Sequence, residues 1–167
     1  MQDNAQVLAE KLIRNFNDAP LKREMRAPLY DTMCARLGTG LAAEKLGVSV
    51  DTVAPGMRSC PYHFHYAQEE MFVVIAGSGT LRVAGTLLPI RSGDVIVIPA
   101  GPDYPHQIIN TSDAPLQYLS ISTRETPEIC VYPDSGKFST FASVDGGPSF
   151  DSIQRSANNL DYWDGEP

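Results

Sequence analysis

From Leu46 onward the chain is cut into short runs of β-branched and aromatic residues, and this texture limits the possible folds more than any other feature. The runs are Leu46–Ala54, Met71–Ile75, Thr80–Val83, Asp94–Ile98, Gln107–Ile109 and Leu116–Ser122, with a further one at Glu128–Tyr132. Each is bounded by Gly, Pro, Asn or Asp, and no helical pattern separates them. Short strands in such a series build an all-β sandwich or barrel rather than βαβ units. A chain of 167 residues holds one such core, without disulfides or a structural metal to support it. The expected organisation is an N-terminal arm at 1–44, a barrel at 45–132 and a C-terminal tail at 133–167.

The arm opens with Val7, Leu8, Leu12, Ile13 and Phe16 roughly on one face, which predicts a short amphipathic helix over 4–17 capped by Asp3 or Asn4. Residues 18–33, with Pro20 and Pro28, read as extended chain. The tail is polar until Leu160, Tyr162 and Trp163. Aromatics of this kind are rare in disordered ends, so the tail is expected to dock on the barrel or on a neighbouring subunit.

Charge removes several function classes. Thirteen Lys and Arg stand against twenty Asp and Glu, a net −7, whereas nucleic acids and anionic membranes both call for clustered cations. Cys34, Cys60 and Cys130 are odd in number and form no CxxC pair, which suits a reducing compartment and neither a disulfide framework nor a thiolate zinc site. The N-terminus lacks an uninterrupted apolar core of signal-peptide type, and no apolar run reaches membrane-spanning length. These features predict a cytoplasmic protein.

The sequence holds three histidines, His63, His65 and His106. His63 and His65 alternate with period two, so on a strand both imidazoles share a face. Glu70 lies at an odd offset from His65, and a turn or bulge at Tyr66–Glu69 is needed to bring it opposite the pair. Three imidazoles and a carboxylate suit one divalent transition ion, Zn, Mn, Fe, Co or Ni, with coordination positions left for water or substrate. Arg58, Tyr66 and Tyr104 flank this set and are the expected substrate-binding residues. Asn110 is expected to be structural, Cys60 an inert buried thiol, and Arg82, Arg91 and Arg124 surface charges.

The spacing of these residues resembles the cupin superfamily. Gly56, His63, His65, Glu70 and Gly77 look like its first motif, and Gly93, Pro99, Gly101, His106 and Asn110 look like its second, with 15 residues between Gly77 and Gly93. One extra residue precedes His63 and two extra lie between Gly101 and His106, both in loops. The resemblance covers roughly residues 45–132 and implies an antiparallel jelly-roll β-barrel, usually paired as a homodimer. It also implies His63, His65, Glu70 and His106 as metal ligands. A small-molecule substrate follows from it, and the favoured reaction resembles sugar-phosphate isomerisation, a proton transfer on a metal-bound hydroxy-carbonyl with Glu70 as the catalytic carboxylate. The alternatives are a dioxygenase using Fe, Ni or Cu and a non-enzymatic module that binds a metal and a small ligand.

Overall fold

A computed structural model describes residues 4–143 and 149–167; the expected Asp3 cap and part of the tail, 144–148, lie outside these. The described residues form one α-helix, α1 (Asn4–Leu12), then thirteen strands and a short 3-10 helix at Ser156–Asn158. The strands are β1 (Lys22–Arg26), β2 (Tyr30–Arg36), β3 (Leu46–Val53), β4 (Phe64–His65), β5 (Glu70–Ala76), β6 (Ser78–Val83) and β7 (Thr86–Arg91). They continue with β8 (Val95–Ile98), β9 (His106–Ile109), β10 (Leu116–Thr123), β11 (Glu128–Tyr132), β12 (Lys137–Ala142) and β13 (Phe150–Arg155). Six strands form one sheet in the order β1-β2-β3-β10-β5-β8, four form a second in the order β13-β12-β11-β4, and three form a third, β7-β6-β9. Every strand pairing is antiparallel, as expected for the all-β class. No helix among the described residues is long and apolar enough to cross a membrane.

Alternation along the strands decides what is buried. Val53, Phe72, Val74, Leu116 and Tyr118 point inward from the six-stranded sheet and meet Leu81, Ile90, Ile98 and Ile108 in one core. On the opposite face of that sheet, Ala35, Leu37 and Val50 are covered by Phe16 and Ala19 of the N-terminal segment. This packing explains why the helix stops at Leu12 and not at residue 17: Asn15 turns the chain through its own Oδ1, which accepts the Asn17 N–H, and Phe16 leaves the helical path to reach the sheet. None of the α1 residues is buried.

The arm and tail enter the sheets. β1 and β2 extend the large sheet beyond β3, and β12 and β13 extend the second sheet beyond β11. β7 was not expected from the sequence, because Pro89 interrupts its pattern; it pairs only with β6, on an edge where a missing N–H is tolerated. The end of the tail does not dock on its own barrel. Tyr162 and Trp163 are 84% and 69% exposed and stack edge-on against each other.

Asn110 has the structural role expected of it. It is fully buried, donates to Val53 O and Ala114 O at 2.9 and 2.8 Å, and accepts the Ser112 N–H. Gly77, at the β5–β6 corner, has φ +84°, and a Cβ there would strike the Pro115 carbonyl oxygen and sit 3.1 Å from Leu116 Cα. Gly77→Ala is therefore expected to lower the unfolding free energy by about 2–4 kcal/mol. A urea-denaturation midpoint equal to wild type would contradict this account of the corner.

Candidate metal centre

The histidines come from two places in the chain, His63 and His65 from one and His106 from the other, and are held through the backbone. His63 and His106 exchange a reciprocal pair of bonds, His63 N–H to His106 O at 3.1 Å and His106 N–H to His63 O at 2.7 Å. His65 O accepts the Gly101 N–H at 2.7 Å. Glu70 opens β5, paired with Ile98 of β8 on one side and Ser122 of β10 on the other.

Each imidazole has its Nδ1 side occupied by an acceptor. His63 Nδ1 lies 2.9 Å from Pro61 O, His106 Nδ1 3.2 Å from Tyr104 O, and His65 Nδ1 3.3 Å from Glu128 Oε1. A carbonyl or carboxylate oxygen cannot donate, so in each neutral ring Nδ1 carries the proton and Nε2 presents a lone pair. All three Nε2 atoms converge on one oxygen, Glu70 Oε2, at 3.6 Å from His63, 3.6 Å from His65 and 2.8 Å from His106. Glu70 Oε2 and His106 Nε2 are buried, and neither makes a hydrogen bond of acceptable geometry. A lone pair pressed against a carboxylate oxygen away from water is unfavourable unless a cation lies among them. The donor set therefore fits a divalent transition ion, and His63, Glu70 and His106 already bring their ligand atoms within 4.8 Å of one another.

Glu128 is the residue sequence reasoning missed. Besides holding His65, its buried carboxylate accepts the Tyr66, Ala67 and Gln68 N–H groups at 3.1, 3.0 and 2.9 Å. This clamp forms the turn at Tyr66–Glu69 that lets Glu70 face the histidines. The sequence does carry a signal: Glu128, Cys130 and Tyr132 alternate on β11, so one strand directs a carboxylate, a thiol and a phenol to one face. These three line a cavity of about 310 Å³ together with Cys60, His63 and His65.

Electrostatics separates the possible ligands. Burial acts to raise the Glu70 pKa, but positive charge shared among His106, His63 and His65 holds the carboxyl well below its ordinary range. Burial acts to lower the His63 pKa, but Cys60 and Glu70 raise it; a proton here takes the place that a metal cation would fill. Burial draws the His65 pKa down and favours its neutral, metal-binding form. His63, His65 and Cys130 form a second possible group. Burial raises the Cys130 pKa and disfavours the thiolate that such a site would need.

The expected substrate residues lie elsewhere. Tyr66 and Tyr104 are about half exposed, and it is the Tyr104 carbonyl, not its ring, that reaches His106. Arg58 forms isolated bridges with Tyr30 and Ile109 at the backbone. None of the three lines the cavity that contains His63 and His65.

A model of the cupin domain matches residues 49–122. Auxin-binding protein 1 of Arabidopsis thaliana is 33% identical over 133 residues, covering 74% of this chain and 64% of that protein, so the chain spans under two thirds of that relative. Among solved structures, a proposed sugar phosphate isomerase of Acidithiobacillus ferrooxidans superposes with a TM-score of 0.75 and 23% identity, covering 90% of this chain and 96% of that one. A sugar phosphate isomerase of Silicibacter pomeroyi superposes with a TM-score of 0.73, also at 23% identity and with the same coverage. At that identity the likeness establishes the shared fold.

Removing the clamp should weaken metal binding without removing a ligand. Glu128→Gln is expected to reduce affinity for Zn²⁺ or Co²⁺ about 10–100-fold in chelator competition, while Cys130→Ser leaves it unchanged. The reverse order would mean that Cys130, not Glu70, completes the site.

Proposed function

We propose that this chain, whose residues 49–122 match the cupin domain, is a metal-dependent enzyme acting on a small oxygenated metabolite by sugar-phosphate-isomerase-like proton transfer. One observation carries the reading: three Nε2 lone pairs and a buried carboxylate oxygen converge with no hydrogen-bond donor among them. His63, His65, Glu70 and His106 would hold the ion. When bound, it would supply a Lewis acid that polarises the carbonyl of a hydroxy-carbonyl substrate.

The chain's own groups handle the proton. Glu128 is committed to backbone donors, so the carboxylate left to move a proton is Glu70, through the oxygen that does not hold the ion. The Glu70 carboxyl is held in the anionic form, the form that can both bind an ion and accept a proton. The Glu128–His65 contact and the Pro61 and Tyr104 carbonyls keep the imidazoles in one tautomer and orientation throughout. A binding-module reading draws support from the likeness to auxin-binding protein 1, whose name describes binding and no turnover.

The two readings separate in one experiment. The reconstituted protein is incubated in D₂O with a panel of phosphorylated aldoses and ketoses, with metal content measured in the same sample. The expected result is one equivalent of ion and solvent deuterium appearing at the carbon beside the carbonyl, both lost in Glu70→Gln. Metal uptake with no exchange on any substrate would favour the binding module, and substrate-dependent oxygen consumption would favour a dioxygenase.

A further inference from the structure

The cavity beside His63 and His65 adjoins a second, larger one of about 610 Å³, with which it shares the lining residues Pro61 and Tyr132. This second cavity is lined mainly by β1 and by the turn between β11 and β12, outside residues 49–122, with Ser59, Pro61 and Tyr62 from inside them. Its charges are unusual for a chain of net −7. Lys22, Arg23, Arg26 and Lys137 line it, against Glu24 and Asp134. Arg23 is paired with Asp31 at 2.7 Å, and Asp134 is neutralised by Arg82 through two bonds of 2.6 and 2.8 Å. Lys22, Arg26 and Lys137 remain, none in an ion pair within 4 Å among the described residues, and one carboxylate, Glu24, opposes them. Arg58 adds to the field: its Nε is buried without a hydrogen-bond partner, and its charge acts on Asp134.

We propose that this cavity is the phosphate subsite of the metal centre, where Lys22, Arg26 and Lys137 hold the phosphomonoester of the substrate while its hydroxy-carbonyl end reaches past Tyr132 to the histidines. The inference rests on the metal-centre reading above and adds the residues that select the substrate. Three unpaired cations with the Tyr30 and Ser135 hydroxyls match a dianion with several acceptor oxygens better than a monoanionic carboxylate. A further cavity, of about 640 Å³, shares Gln68 and Phe141 with the one beside His63 and His65. It balances Arg36 and Arg124 against Glu24 and Glu44 and so offers no net preference for an anion.

Inorganic phosphate and acetate, titrated calorimetrically into the metal-loaded full chain, test the assignment. Phosphate should bind more tightly than acetate, and the K22Q/R26Q/K137Q variant should weaken phosphate binding at least about tenfold. R36Q/R124Q should leave it within about twofold. Lys137→Gln should weaken it alone, and Lys137→Arg should restore it, which keeps the test valid if the triple variant does not fold. Phosphate binding should also persist in metal-free His106→Ala, so that failure of the metal reading and failure of the subsite give different results. The proposal falls if phosphate does not bind, if acetate binds equally well, if R36Q/R124Q is the variant that weakens it, or if phosphate binding disappears together with the metal.

Discussion

Everything at the centre of this protein depends on where three protons sit. Because Pro61 O, Tyr104 O and Glu128 occupy the Nδ1 side of His63, His106 and His65, each ring turns its Nε2 lone pair toward Glu70. Four electron-rich atoms are thereby gathered out of water, an arrangement that is unfavourable until a cation joins it. The backbone sets this arrangement in place. His63 and His106 are hydrogen-bonded to each other, Gly101 is bonded to His65, and Glu128 accepts three successive amides of the turn that carries the chain to Glu70. A site held this way has little freedom to relax by swinging its side chains aside.

The fold divides the work between a shared core and added segments. The part that matches the cupin domain, residues 49–122, supplies all four candidate ligands and most of the apolar core. Glu128, Cys130 and Tyr132 follow immediately after it, while β1 and the β11–β12 turn wall the cation-lined cavity. The matched domain thus carries the candidate ligands, and chain outside it shapes the space around them. This division fits the general finding that one fold hosts many functions through the segments grafted on it.

The barrel was legible because it is written in local periodicity, whereas the full ligand set, with His106 far along the chain, followed from the resemblance of the two motifs to cupins. His63 and His65 share a face by simple alternation, and the offset of Glu70 announced the turn that Glu128 stabilises. The strands of the core read clearly because one face of each is buried. β1 was not legible: Lys-Arg-Glu-Met-Arg is exposed along its whole length and has no buried face to impose a pattern, so only its ladder with β2 identifies it as a strand. Glu128 was missed for a different reason. Its importance lies in contacts with residues about 60 positions away, which no local pattern reveals. Arg58 is close in sequence to His63, yet β1 and β12 bring Lys22, Arg26 and Lys137 to the cavity from far along the chain.

The central claim is that the ion sits among three imidazole nitrogens and the Glu70 carboxylate, and not in the neighbouring His63–His65–Cys130 group. X-ray absorption at the metal edge of the zinc- or cobalt-loaded full chain tests it directly. The account predicts a shell of nitrogen and oxygen scatterers at about 2.0–2.2 Å with the multiple-scattering pattern of imidazole and no sulfur. A sulfur scatterer at about 2.3 Å would place Cys130 on the ion and contradict the assignment of Glu70.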